Sequence, residues 1–201
     1  MSFVARLSGD PGWLTLAARA ASCAGARRFE TSCWFAIHRV QPLHPQALSA
    51  MAFVRAREGR LQAALGWQKR VVRRSPMEAA AWFNLGYLQD QLNQPEQAAT
   101  SFARAVELSP TLDTAWYGLG CALRRLGRLP EALDALARNV ALQPWSPHGF
   151  EEMVHAHADL NHPSEVRRLI DHLGRFEPRV AERLEVAYAD LYVAGEPSHA
   201  S

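Results

Sequence analysis

The chain has little that would support catalysis, a disulfide scaffold or membrane insertion. Cysteine is scarce: Cys23, Cys33 and Cys121 make an odd count with no CxxC spacing. That argues against a disulfide framework and for reduced thiols in a cytoplasmic setting. No apolar run is long enough to cross a bilayer as a helix, so no membrane span is expected. Charge of one sign is also missing. The formal net charge is +2, which argues against a dedicated nucleic-acid binder. Lysine occurs once, at Lys69. The other basic residues are arginine, which with the high alanine content reads as the coding bias of a GC-rich bacterium. There is no phosphate-cradling glycine loop, no nucleophile elbow and no carboxylate pair in a pocket-forming context. An enzyme is therefore not expected, and neither cofactor nor catalytic residue is assigned.

What is present is a period. Prolines stand at 42, 76, 110, 144 and 178, each 34 residues after the last. A fixed period of this size marks a repeat architecture, in which each unit is one supersecondary element. Blocks cut at 11, 45, 79, 113 and 147 agree at several further positions. The fourth reads Leu14, Leu48, Trp82, Trp116, Phe150, and the seventh reads Ala17, Met51, Leu85, Leu119, Met153. The eighth is small in four blocks: Ala18, Ala52, Gly86 and Gly120, with Val154 the exception. A small residue there lets a neighbouring backbone come close. The fifteenth is a helix stopper throughout: Gly25, Gly59, Asn93, Gly127, Asn161. Glycine and asparagine accept the left-handed conformation that ends a helix. Pro95, Pro130 and Pro163 then fall where a second helix starts, a position that tolerates proline because the amide has no partner there. The residue before each periodic proline avoids helical geometry and closes the unit. Each block is thus a helix–turn–helix pair.

These residues resemble the tetratricopeptide repeat, whose consensus is W-x2-L-G-x2-Y followed by A-x3-F, A and P. Trp82, Leu85, Gly86, Ala98, Phe102, Ala105 and Pro110 match it, with Gln89 at the tyrosine position. Trp116, Leu119, Gly120, Ala132 and Pro144 match again, with Asn139 where a small residue is usual. The resemblance implies an all-α fold, a right-handed superhelical solenoid of antiparallel helix pairs. The phase places an N-terminal helical segment, a degenerate repeat, at 1–44. Repeats follow at 45–78, 79–112, 113–146 and 147–180. Residues 181–201 supply a capping helix and a disordered tail. The cap face is Val180, Leu184, Ala187, Tyr188, Leu191 and Tyr192 on one continuous helix through 180–193. That helix either covers the exposed end of the last repeat or folds back into the groove as an autoinhibitor. The N-terminus has two readings. Arg6, the small apolar stretch and Ala-Ala-Ser-Cys ending at Cys23 suggest an exported or membrane-attached protein. Arg19, Asp10 and Pro11 speak against a signal and leave the degenerate repeat as the favoured reading.

The resemblance also implies where a ligand sits. In this family the first helix of each pair lines a concave groove through its second, fifth, ninth, twelfth and thirteenth positions. Carried over, the groove residues are Phe53, Arg57, Phe83, Tyr87, Asp90, Tyr117, Cys121, Arg124, Arg125, His148, Glu151 and His155. Asn84 joins them as the central asparagine of the family's carboxylate clamp. The other four clamp positions hold Ser49, Phe53, Thr114 and Gly118, so capture of a chaperone's C-terminal tail is not expected. Surface aromatics are common interface anchors, and arginines beside them can take carboxylates. The expected function is a non-catalytic adaptor or assembly chaperone holding an apolar, partly acidic peptide segment of a partner.

Other features leave alternatives open. The chain can instead be a scaffold that self-associates. His148, His155, His157, His162 and His172 crowd the last repeat, and His155 and Asp159 lie one helical turn apart. That admits a metal-binding or enzymatic protein, although no HExxH occurs and solvated surface histidines explain the cluster. Cys121, followed by Arg124 and Arg125, is either a reactive thiol or a tolerated small residue. Arg70, Arg73 and Arg74 form a basic run that can touch nucleic acid or an acidic lipid surface, or simply complement a helix C-terminus.

Overall fold

The structure, a computed structural model, describes residues 11–193. The signal arguments from Arg6 and Asp10, the tail 195–201 and the side chain of Tyr192 lie outside what is described. Among the described residues there are twelve helices and no strand. The chain divides into two compact units, residues 1–93 and 94–201.

The first unit holds α1 (Pro11–Cys23), α2 (Arg27–Val40), α3 (Pro45–Arg57), α4 (Leu61–Arg74) and α5 (Ala79–Gln91). The second holds α6 (Pro95–Leu108), α7 (Asp113–Arg125), α8 (Leu129–Leu142), α9 (Pro147–Asp159), α10 (Pro163–Gly174), α11 (Pro178–Ala187) and α12 (Ala189–Val193). Within each unit, consecutive helices up to α11 pack against one another.

The punctuation of this pattern is chemical. Gly25, Gly59, Asn93, Gly127 and Asn161 all have positive φ, between 57° and 73°. Each ends the first helix of a pair. The amide after the turn reaches back five residues: Ala26 N donates to Ala21 O at 2.8 Å, Arg60 to Arg55 at 2.9 Å, Arg128 to Leu123 at 3.0 Å and His162 to His157 at 2.9 Å. These are the bonds of a Schellman closure, which satisfy carbonyls that the helix leaves open. No side chain caps the N-termini of α2 to α11; prolines occupy the first turn of α3, α6, α8, α9, α10 and α11 instead. α2, α4, α6 and α8 stop at the residue before the periodic proline, as at Ser109 (φ −142°, ψ 90°), whereas α10 stops earlier, at Gly174.

The core runs between the helix pairs. In the first unit Leu14, Ala18, Cys33, Trp34, Ile37 and Ala47 form one buried cluster, and Leu48, Ala64, Leu65, Val71, Val72, Ala81, Leu85 and Leu88 form the next. Polar ties cross from pair to pair. The indole of Trp82 donates to Pro76 O at 2.8 Å, and that of Trp116 to Pro110 O at 2.9 Å. The buried amide of Gln68 donates across to Ala81 O (2.8 Å), and that of Asn139 joins the two helices of one pair by donating to Asp113 O (2.9 Å). An unpaired buried amide is costly, so the first bond helps fix how successive pairs meet and the second how α7 and α8 meet.

One expectation is extended and one corrected. The small residue at Gly120 admits a neighbouring backbone, with Ala132 O 3.4 Å from where a Cβ would stand, but it makes still more room for a side chain, Leu136 Cγ at 2.6 Å. The C-terminal helix is not continuous through 180–193. It breaks at Tyr188 (φ −117°, ψ 17°), where the phenol turns to meet His155. Its first part does cover the end of the second unit: Ala181 and Leu184 are buried against Val154, Val166, Leu169, Ile170 and Leu173.

Candidate functional site

The expected groove residues fall into two environments, one in each unit. In the first, α3 and α5 present Phe53, Arg57, Phe83, Asn84 and Tyr87 to a single cleft of about 570 Å³. Its floor is Ala52 and Leu88, both buried, with Gln68 from α4 beside them. Phe53 and Tyr87 stand 62% and 53% exposed above that floor. Phe83 is half-buried, and Ser49, Asn84 and Gln91 form a polar rim. The spacing explains the placement. Ala52 and Phe53 are sequence neighbours about 100° apart on the helix, so one is buried in the floor of the cleft and the other stands exposed in its wall. Among the described residues Arg57 is the one charged side chain that lines the cleft. Its guanidinium lies 5.6 Å from the Phe53 ring centroid, and no carboxylate pairs with it among the described residues. Asp90 is half-buried and outside the lining.

In the second unit the corresponding residues are tied to one another. Arg124 was expected to offer its guanidinium to a ligand carboxylate. Instead its Nε bonds Glu152 at 2.9 Å and its Nη1 reaches Asp159 at 3.4 Å. Burial works against that charge, but Glu152 and Asp159 outweigh it and hold the guanidinium above its ordinary pKa. Glu151 pairs with Arg183 of α11. His155 Nδ1 meets the Tyr188 hydroxyl at 2.6 Å. Tyr117 is half-buried, its ring 6.4 Å from that of the exposed His148. Burial first, then Cys121 and Glu152, push its phenol far above the ordinary range. Cys121 is half-buried and hydrogen-bonded to Tyr117. Arg125 is exposed and engaged within the protein. The structure thus brings Phe53, Arg57, Phe83, Asn84 and Tyr87 together around an open space. The others are already engaged: Arg124 bonds from α7 to α9, Glu151 from α9 to α11 and His155 from α9 to Tyr188, while Tyr117 and Cys121 pair within α7.

The histidines do not converge. His157 and His162 face each other at 3.4 Å, His172 packs on Phe150 with centroids 4.9 Å apart, and His155 is held by Tyr188. Among the described residues no group of three His, Cys, Asp or Glu is placed to hold a metal ion. No described helix is long and apolar enough to cross a membrane.

The sequence reading missed Glu152, Arg183 and Tyr188, which complete these pairings. Glu152 lies outside the inherited groove positions, and the two others lie in the cap. It also passed over Trp145, which is 76% exposed with its ring 6.0 Å from that of Phe176. The available signal was position: Trp145 follows the periodic Pro144 as Leu43 and Met77 follow Pro42 and Pro76.

The model of the tetratricopeptide repeat matches residues 69–113 and 91–147. Comparison with curated proteins finds no match. Among solved structures, the chain is similar to YrrB, described as a TPR protein with an unusual peptide-binding site. The TM-score is 0.81 at 18% identity, over 91% of this chain and 95% of that one. It is similar to MamA, with a TM-score of 0.72 at 16% identity over 93% and 98% of the two chains. MamA residues 41 to the end from Desulfovibrio magneticus RS-1 give 0.72 at 17% identity over 88% and 96%. At such identities the likeness is one of fold.

Proposed function

We propose that this chain, a tetratricopeptide-repeat protein, is a non-catalytic binding module that holds a segment of a partner protein in the cleft between α3 and α5. The observation that carries the reading is the pairing of a buried apolar floor with exposed walls. Phe53 and Tyr87 are more than half exposed directly above Ala52 and Leu88. Rigid aromatics over an apolar floor give large contact area at small entropic cost, the usual character of an interface anchor. An apolar side chain of the segment enters between them. Asn84 and Gln91 offer donors and acceptors to its backbone, and Arg57 takes a neighbouring carboxylate. YrrB, which shares the fold, is described as having a peptide-binding site, and that supports peptide as the ligand class. The free thiols Cys23, Cys33 and Cys121 fit a reducing compartment, so we place the protein in the cytoplasm.

Selection from a displayed peptide library tests the proposal, with the wild type beside a Phe53→Ala, Tyr87→Ala variant of unchanged helicity. Enrichment of apolar segments with an acidic neighbour by the wild type alone is the expected result. Equal recovery by both would remove the cleft as the working site. Enrichment of the chain's own sequences would favour self-association.

A further inference from the structure

The first unit carries a second surface, independent of the cleft, along the ends of α2 and α4. On α4, Ala64, Leu65, Gln68, Val71 and Val72 are buried. Lys69, Arg70, Arg73 and Arg74 occupy the opposite arc and are exposed. The two helices meet beside this arc. The His38 ring of α2 stands edge-on to Trp67 of α4 at 4.8 Å, and the Arg70 guanidinium lies 4.6 Å from the Trp67 ring centroid on α4 itself. Arg39, next to His38 in the last turn of α2, is also exposed. None of these five cations is paired with a carboxylate among the described residues. Acid is absent from this stretch: none occurs between Glu30 and Glu58, nor between Glu58 and Glu78. The helix dipole accounts for cations in the last turn, such as Arg73 and Arg74, but not for Lys69 and Arg70 a turn earlier. It accounts still less for the aliphatic side chains at the same end. Val40 is 51% exposed, Leu43 65% and Met77 72%, on the end of α2 and in the turns after α2 and α4.

We propose that this edge docks on an anionic lipid surface, with the cations on the headgroup phosphates and Val40, Leu43 and Met77 seated at the headgroup–acyl boundary. Charge complementarity requires an anionic partner, and the aliphatic side chains choose among anionic partners. A nucleic acid would use the arginines but gain nothing from exposed valine, leucine and methionine, because it is read by stacking and hydrogen bonds. A bilayer interface uses both, since interfacial binding scales with buried apolar area plus attraction to anionic lipid. The protein then lies on the membrane without spanning it.

Flotation of the full chain with vesicles tests this, using phosphatidylcholine alone or with phosphatidylglycerol at about one part in three. Binding is expected to the anionic vesicles only. Arg73→Glu with Arg74→Glu should weaken it on the order of thirtyfold or more. Leu43→Ser with Met77→Ser should weaken it several-fold at unchanged charge. All four side chains are exposed, so the fold should be kept, with thermal melting lowered only slightly by acids in the last turn of α4. If the charge reversal does unfold the protein, Arg73→Gln with Arg74→Gln replaces it, with a smaller loss expected. Equal binding to neutral and anionic vesicles, or an unaffected charge-reversal variant, would overturn the proposal. So would a Leu43→Ser, Met77→Ser variant that binds vesicles and short duplex RNA as tightly as the wild type. That result would make the edge a general polyanion site.

Discussion

The face that α3 and α5 present in the first unit and the face that α7, α9 and α11 present in the second share one helical spacing and opposite chemistry. The ninth position of each repeat shows the difference. In the two clear first helices of the first unit, α3 and α5, it holds Phe53 and Tyr87, aromatic and more than half exposed. In the second it holds Cys121 and His155, half-buried and bonded to Tyr117 and Tyr188. The charges follow suit. Among the described residues Arg57 has no carboxylate partner, while Arg124 has two. A repeat scaffold places side chains at equivalent points, and whether those points form a site depends on whether neighbours already satisfy them. The first face is left unsatisfied and the second satisfies itself.

The largest expected effect sharpens that contrast. Phe53→Ala with Tyr87→Ala should weaken segment binding about a hundredfold or more, as loss of two aromatic anchors does. Tyr117→Ala with His155→Ala should leave it within about threefold, since most interface-remote contacts are neutral to binding. Titration of one selected peptide by fluorescence anisotropy measures both. A larger loss from the second pair would reverse the assignment of the two faces.

The next effect is in stability and runs the other way. Arg124→Met leaves Glu152 and Asp159 without their partner. Both Arg124 and Glu152 are mostly buried, at 28% and 18% side-chain exposure, so the loss should be about 1–3 kcal/mol. Arg57→Met removes an exposed, unpaired charge and should stay within about 0.5 kcal/mol. Urea unfolding of the two variants makes the comparison, and equal losses would mean that the Arg124 pairs contribute nothing. In binding the order inverts. Arg57→Met should weaken an acidic-flanked peptide a few-fold and flatten its salt dependence, while Arg124→Met should do neither.

The fold was legible because repetition turns weak local signals into a strong one. A single glycine or asparagine is a poor helix terminator, but five at one phase all take positive φ. The groove positions were legible as positions, since helical periodicity fixes which side chains share a face. Their occupancy was not. That Arg124 is spent on Glu152 and Asp159 depends on side chains 28 and 35 residues away, and no local pattern reports such pairing. The break at Tyr188 was hidden for the same reason. Residues 180–193 read as one amphipathic helix, and the contact that Tyr188 makes where the chain turns is with His155, 33 residues away.

The smallest expected effect concerns pH and separates the units once more. His157 is held below a histidine's ordinary pKa, first by burial, with His162 and Arg168 adding to the shift and Glu165 opposing it. The folded state therefore binds that proton less readily than the unfolded chain, whose histidine titrates at about 6.5. The sign follows from linkage. The stability attached to neutral His157 is present above that value and is lost as pH falls through the lower folded pKa. Thermal midpoints at about pH 7.5 and about pH 5.5 should thus diverge more for the wild type than for His157→Gln, which removes the titrating group. The side chain is partly exposed, so the difference should be small and insensitive to changes at Phe53 or Tyr87. An unchanged divergence in His157→Gln would move the acid sensitivity away from the turn between α9 and α10.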